Sequence, residues 1–280
     1  MDELVDMEGR TAVVVSMHEK QKVIEPVFQH FNFTWLKSSI DTDVYGTFSG
    51  EINRQGSALD AARKKCLGMF NQSDVSIAIA SEGSFGCHPY SPFIAMNEEL
   101  IVFMDRKNDC EFSINSASIL TNFASRDCTS LDELWSFAAQ ALFPSHGIIL
   151  RSLHDESIVF KGITDSAQLE IHFLLLHRQD GVVRVQTDMR ANYNPTRMSH
   201  IQEVAKKLVN KIKTHCPECN ARGFGDEKKV AGLPCSNCKL PTKSAIHIEK
   251  HCQQCGFVEI VQLPDVKVEE DPMYCDFCNP

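Results

Sequence analysis

The chain has no apolar run approaching the roughly 18 residues of a membrane-spanning helix. Its longest candidates, Thr11–Val15 and Leu100–Met104, have the length of buried strands. It has no low-complexity segment and no internal repeat beyond a recurring cysteine pair, which excludes a repeat array. It has no basic, then apolar, opening: Met1 to Asp6 is acidic, so no secretory signal is expected. Without export the thiols stay reduced, and the expected location is intracellular, in the cytoplasm. Positive charge is also scarce. The net charge is −9; residues 1–205 carry −10 and residues 206–280 carry +1. Basic residues cluster only at Lys206, Lys207, Lys211 and Lys213 and at Lys228 and Lys229, and a solvated helix face accounts for the first group. Counterion release on nucleic acid needs denser cations, so DNA or RNA binding by the tail is the least favoured of three readings.

What is abundant is cysteine. Eight of the twelve form four Cys-x-x-Cys pairs in the last 65 residues: Cys216/Cys219, Cys235/Cys238, Cys252/Cys255 and Cys275/Cys278. Two intervening residues let both sulfurs face one point, and two such pairs complete a tetrahedral shell. Two structural zinc ions are expected. The gaps of fifteen residues (Cys219 to Cys235) and nineteen (Cys255 to Cys275) suit a four-cysteine site better than the thirteen between Cys238 and Cys252. Pairing first with second and third with fourth is the expected arrangement; first with third and second with fourth is the alternative. The stretch from Ala245 through Cys252, Cys255 and Gly256 to Val261 reads as strand, knuckle, strand, hence a zinc-ribbon-like tail. His215 and His251 adjoin cysteine pairs, but eight thiols already suffice as ligands.

Length and a 43% hydrophobic content predict two domains. Residues 1–205 form an α/β domain and residues 206–280 a zinc-binding tail, joined by a helix over about 199–213. Strands are expected at 11–17, 34–40, 75–80, 99–104, 147–153, 157–162 and 182–187. Helices are expected at about 19–31, from a Ser57 cap to Phe70, from a Ser130–Glu133 capping box to Leu142, at Ser166–Arg178, and from a Ser199–Gln202 capping box. Ile201, Val204, Leu208 and Ile212 give the last helix one apolar stripe. Strands alternating with helices predict an α/β fold, a mixed sheet flanked by helices.

Four segments of the α/β domain carry residues fit for chemistry. The run from Asp74 to Gly86 reads as a buried strand ending in Glu82 within a glycine-rich turn. There Glu82 suits Mg²⁺ or water, while Gly83 and Gly86 let phosphate approach the backbone and Ser84 between them is a candidate ligand contact. An exposed carboxylate on a tight turn is the plainer alternative. Upstream, Asp43, Arg54 and the glycines before Ser57 precede a helix N-terminus, a place that favours anions, or else form a polar hairpin. Arg63 follows on that helix and reaches the site or faces water. Arg190 and Arg197, either side of Tyr193–Thr196, either grip an anion bidentately or pair with Asp188. Lys20 or Lys22, after the first strand and with His18 nearby, can hold phosphate as a point charge, or both are ordinary surface lysines. Cys87–His88 lacks a visible orienting group for a nucleophile.

Two resemblances rest on these residues. Asp41 to Glu51, Ser81 to Gly86, Asp188 to Met198 and the ending Tyr274 to Pro280 resemble an uncharacterised domain-of-unknown-function family over nearly the whole chain, which implies the two-part architecture and no activity. Leu59, Ala62, Arg63, Asp74, Glu82, Gly83 and Asp105, in that order, resemble the inosine triphosphate pyrophosphatase-like superfamily over residues 11–105, with Ser16-Met17-His18 where that family has Thr-Gly-Asn. That resemblance implies Mg²⁺-dependent hydrolysis of nucleoside triphosphates, with Glu82 and Asp74 serving metal and water and Lys20 and Arg63 holding phosphates. The leading expectation is a Mg²⁺-dependent hydrolase of a phosphorylated, nucleotide-like ligand. The alternative is a non-catalytic, ligand-sensing adaptor whose zinc tail binds a protein partner.

Overall fold

The computed structural model describes residues 7–38, 56–155, 158–263 and 267–280. The chain divides into two compact units, Met1–Leu208 and Val209–Pro280. No helix among the described residues is long and apolar enough to cross a membrane.

The first unit is α/β. Its larger sheet contains β1 (Thr11–Val15), β2 (Thr34–Leu36), β3 (Ile77–His88), β4 (Ser91–Asp105) and β5 (Cys110–Ser118), in the order β2-β1-β3-β4-β5. The apolar run of β1 is buried on both faces, as a central parallel strand requires. It pairs in parallel with β2 and with β3, whereas β3-β4 and β4-β5 are antiparallel. The sheet is therefore mixed.

The expected first helix is a short α1 (Gln21–Ile24) running into a 3₁₀ segment, Glu25–Phe31, with Pro26 at its start. Proline has no N–H to donate, so its position at a helix start costs nothing. Phe28, Phe31, Phe33, Trp35 and Phe103 pack through stacked, tilted and edge-on ring contacts into an aromatic layer on one face of the sheet. On the other face lies α2 (Ala58–Gln72), which packs Ala62, Cys66 and Met69 against Val13, Val15, Ala78, Ala80 and Val102. Ser57 caps α2 as its sequence predicts: its hydroxyl accepts from Asp60 N–H, and the Asp60 carboxylate accepts from Ser57 N–H. Because β2 and β3 flank β1, the chain reverses its direction of travel at β1. In α/β sheets such a reversal opens a crevice beyond the carboxyl ends of the strands.

A second sheet, antiparallel and ordered β6-β9-β7-β8, comprises β6 (Ser125–Cys128), β7 (Ile148–Ser152), β8 (Val159–Ile163) and β9 (Val183–Thr187). Helices α3 (Leu131–Gln140) and α4 (Ser166–Asp180) contribute Leu134, Phe137, Leu169, Phe173 and Leu176 to its core. Gly181 stops α4 in the left-handed conformation that glycine tolerates best.

The last helix, α5 (Pro195–Lys213), begins a turn before the expected Ser199 cap. Pro195 is a better helix starter, and Ser199 instead donates its hydroxyl back to Pro195 O from within the helix. The strands β5 and β6 have no counterpart in the sequence reading, since their polar, alternating residues carry little hydrophobic signal.

The second unit holds a three-stranded antiparallel sheet, ordered β10-β11-β12: β10 (Asp226–Ala231), β11 (Ala245–His251) and β12 (Val258–Val261). The strand-knuckle-strand reading of 245–261 corresponds to β11, Cys252–Cys255 and β12. Gly256, with φ of 75°, lets the knuckle turn into β12.

Candidate functional site

Two cysteine tetrads lie in the second unit: Cys216, Cys219, Cys252 and Cys255 in one, and Cys235, Cys238, Cys275 and Cys278 in the other. Each tetrad can hold a metal ion. The pairing is the crossed one, which corrects the expected adjacent arrangement. Register explains why. Asp226, at the start of β10, lies opposite His251, at the end of β11. The knuckle before β10 (Cys216–Cys219) is thereby brought to the knuckle after β11 (Cys252–Cys255). Ala231, at the far end of β10, pairs with Ala245 at the start of β11. Cys235 and Cys238 lie beyond that end, and Glu270, just before the last pair, bridges to Cys235 there. Gap lengths alone cannot express this, because an antiparallel neighbour reverses which ends of a strand meet.

Within the tetrads, the sulfurs Cys216–Cys255 and Cys219–Cys252 lie 3.7 Å apart, Cys235–Cys278 3.9 Å and Cys238–Cys275 3.6 Å. A disulfide would bring them to about 2.05 Å. Double substitutions distinguish the pairings by metal count. In native mass spectrometry, Cys216→Ser with Cys252→Ser should leave one ion per chain, and Cys216→Ser with Cys235→Ser none. Adjacent pairing predicts the reverse.

In the first unit, five charged side chains are buried beside the carboxyl end of β1: Lys20, Lys65, Glu82, Glu99 and Arg197, each 8% exposed or less. β1 pairs with β3 only as far as Ala80, and the neighbouring Ser81 finds a substitute partner. Lys20, on the loop after β1, donates to Ser81 O at 3.1 Å and to Ser81 Oγ at 2.9 Å. From α2, Lys65 Nζ reaches Glu82 Oε1 at 2.5 Å. From α5, Arg197 donates through Nε to Glu99 Oε1 at 2.7 Å and through a terminal nitrogen to Met189 O at 2.6 Å. Arg197 also lies over the Phe85 ring, 5.1 Å from its centroid. Gly83 pairs with Glu99 across β3-β4, and its missing side chain is what admits Arg197: a Cβ there would lie 2.2 Å from the guanidinium. Next along, Asn97 Nδ2 lies 3.1 Å from His200 Nδ1.

Burial, and secondarily the Arg197 charge, push the Lys20 amine down to about 7; Glu99 and Glu82 oppose this without overcoming it. The unfolded chain therefore holds this proton more tightly than the folded one between about pH 7 and 10.4. Folding stability tied to Lys20 rises with pH through that window and is flat below it. Relative to Lys20→Met, the protein should gain about 2 kcal/mol between pH 7 and pH 9 in urea denaturation. Equal pH slopes for the two proteins would contradict the burial of this amine.

Glu82 lies within β3 rather than in a glycine turn; the strand runs through Gly83 and Gly86 without interruption. Alternation along β3 turns Glu82 and Ser84 toward α2, where they line a cavity of about 380 Å³ with Ser57, Ala58, Leu59, Glu98, Leu100, Ser113 and Asn115. Ser84 Oγ is 3.5 Å from Glu98 Oε2.

Of the residues singled out in the sequence, Lys20, Glu82, Gly83, Ser84 and Arg197 converge on this region. Asp74 does not. It is exposed before the amino end of β3, away from the end that carries Glu82. Arg63 is held by Glu111 on β5 through bonds of 2.8 to 3.0 Å. Arg190 pairs with Asp188 at 2.6 Å and stacks on Tyr193, the structural alternative of its sequence reading. Asp43 and Arg54 lie outside the described residues. Cys87 is exposed, and burial drives the Cys66 thiol far up, away from reactivity.

Lys65 and Glu99 escaped the sequence reading. Lys65 sits in the charged run Arg63-Lys64-Lys65, yet it shares the buried stripe of Ala61, Ala62, Cys66 and Met69. Glu99 opens an apolar strand and looks like its polar flank. The available signal for Glu99 was its place beside Leu100–Phe103, all buried, which puts a carboxylate where only a paired one is tolerated.

Comparison with known proteins gives one match: the family described as Domain of unknown function (DUF6671), over residues 65–280. The matched stretch takes in Lys65, Glu82, Glu99, Arg197 and all eight tetrad cysteines, and begins after Lys20. No curated protein matches, and no solved structure does. The likeness to the inosine triphosphate pyrophosphatase-like superfamily is not confirmed by these comparisons.

Proposed function

We propose, for a chain that belongs to the DUF6671 family, that the α/β unit binds a phosphorylated, nucleotide-like ligand at the carboxyl end of β1 and hydrolyses it with Mg²⁺. The observation that carries the reading is Glu82. It is a buried carboxylate lining a cavity of about 380 Å³ that is also lined by the first turn of α2. That volume falls within the range of small-molecule sites.

The first-turn residues Ala58 and Leu59 border the cavity, and helix N-termini favour phosphate because their N–H groups lack intrahelical acceptors. Glu82 and Glu98 face the same cavity, and carboxylate oxygens are what a hard divalent cation takes. They would hold the Mg²⁺, which when bound neutralises phosphate charge and polarises water. Lys65 holds Glu82 in an ion pair. An incoming phosphate competes for Lys65, which leaves the Glu82 carboxylate to orient water. Ser84, beside Glu98, adds a hydroxyl that can position the ligand.

The ion pair also favours a second reading, a ligand-sensing adaptor. If Lys65 keeps Glu82 occupied, the cavity binds without turnover, and the tail engages a protein partner. One assay separates the two. Purified protein with Mg²⁺ is screened against a nucleotide panel that includes inosine and xanthosine triphosphates. Turnover reduced at least a hundredfold by Glu82→Gln supports hydrolysis, in line with the usual contribution of a positioned acid or base. Saturable binding with no turnover above that variant supports the adaptor.

For the tail the reading is two structural zinc ions. A tetrahedral shell with Zn–S bonds of about 2.3 Å places neighbouring sulfurs about 3.8 Å apart. The four Sγ–Sγ separations of 3.6 to 3.9 Å support that identity.

A further inference from the structure

Of the two helices on the second sheet, α3 divides its residues between core and solvent in the usual way and α4 does not. α3 buries Leu134, Phe137 and Ala138 and turns Asp132, Glu133, Ser136 and Gln140 to solvent. α4 buries Leu169, Phe173 and Leu176, yet it also exposes Ile171 (62%), Leu174 (45%) and Leu175 (50%). With the exposed Arg178 these stand at i, i+3, i+4 and i+7, so they form one contiguous patch on the outer face. A helix that is apolar on every side belongs in an interior, and this side of α4 has no cover in the chain itself. Two charges border the patch. Glu170, half-buried, lies in the amino-terminal half of the helix and Arg178 in the carboxyl-terminal half. Neither has an ion-pair partner among the described residues.

We propose that α4 packs against α4 of a second copy of this chain, antiparallel about a twofold axis, and that the protein is a homodimer through this face. The charge order along the helix selects that occupant. A twofold contact sets residue i against residue j and j against i. Four residues at i, i+3, i+4 and i+7 make the hole that accepts a side chain from a facing helix. An axis between Leu174 and Leu175 sets Leu174 against the partner's Leu175, and Ile171 against the aliphatic stem of the partner's Arg178. The same register leaves that guanidinium about one residue, or about 1.5 Å of helix rise, from Glu170. Symmetry forms this ion pair twice. A parallel copy would instead set Glu170 beside Glu170 and Arg178 beside Arg178. The 15 residues of α4 span about 22 Å, and a face of that length covers roughly 200–250 Å². A standard interface buries about 800 Å² per partner, so the dimer is a weak one, in the micromolar range, and its population depends on concentration.

Sedimentation equilibrium of the full chain, from low micromolar to several hundred micromolar, reads the mass. The expected result is a rise from 31.5 kDa toward twice that value as concentration increases. Leu174→Asp with Leu175→Asp places carboxylates in the contact and should weaken dimerisation at least a hundredfold. Glu170→Arg alone turns two attractive pairs repulsive and should weaken it about tenfold. Adding Arg178→Glu to that chain restores opposite charges and should return the dissociation constant to within about threefold of wild type. All four positions lie outside the core, and thermal melting checks that each variant is folded. A wild-type chain that stays monomeric at every concentration would overturn the inference, and so would a dimer indifferent to the leucine pair. Loss on Glu170→Arg without recovery in the double reversal would overturn the antiparallel twofold. A monomer that captures a different protein on α4 would also count against a second copy as the occupant. None of these results bears on the cavity at Glu82.

Discussion

Stripping metal from the purified protein with a strong chelator should unfold residues 209–280 and leave the first unit folded. The second unit has little else to hold it. Its buried apolar cluster is Cys216, Phe224 and Cys252, with Ala221 and Phe257 packed alongside, and two of those three buried residues are tetrad ligands. The strands β11 and β12 expose Ile246, Val258 and Ile260 rather than burying them. A small domain of this kind cannot offset the entropy of ordering its chain by apolar burial alone. A structural zinc ion contributes about 10–16 kcal/mol of apparent binding energy, and in each tetrad that would be folding energy. In hydrogen exchange the amides of β10, β11 and β12 should lose essentially all protection on chelation, while β1 and β3 keep theirs. Addition of Zn²⁺ should restore it. Retained protection of β11 in metal-free protein would show that the tetrads are ornamental. The crossed pairing adds a further expectation: because each ion ties one end of the β10/β11 pair, loss of either tetrad should loosen the whole sheet rather than one half of it.

Arg197→Met should destabilise the first unit by about 3–5 kcal/mol, the cost of leaving a buried charge uncompensated. Glu99 is wholly buried and pairs with the Arg197 guanidinium. Arg197 is also tied to Met189 O, so its removal strips a carbonyl as well as a carboxylate. Glu99→Gln in the same background should recover part of the loss, since a neutral amide needs less than a carboxylate. A coupling energy near zero in the double-mutant cycle would mean that the pair does not act as a unit. Gly83→Ala probes the same contact from the other side. The added methyl group meets the guanidinium and the Glu99 carboxylate, and it should displace the pair without changing any charge.

These residues show where sequence reasoning reached and where it stopped. The apolar runs of β1, β3 and β4 declare themselves because central strands are buried on both faces. The Ser57 and Ser130 caps are local chemistry and were legible for that reason. Lys20, Glu82 and Arg197 stood out because charge beside a strand end or helix start is conspicuous. Their convergence was not legible. Lys20 and Arg197 are brought near each other only by the sheet order and by the placement of α5, which no short window contains. Asp74 illustrates the opposite error: eight residues from Glu82 along an extended strand is a long distance, not a short one. The tetrads carry the same lesson. Spacing identified all eight cysteines, and only the antiparallel register of β10 with β11 decided which met which.

Hydrolysis by the α/β unit requires a metal and a phosphate in the cavity at Glu82. Crystals of the full chain soaked with Mn²⁺ and inorganic pyrophosphate, measured for anomalous scattering, test it. The prediction is a manganese peak on the Glu82 and Glu98 carboxylates with pyrophosphate against the first turn of α2, and no such peak in Glu82→Gln. An empty cavity with manganese and pyrophosphate bound elsewhere on the unit would contradict it.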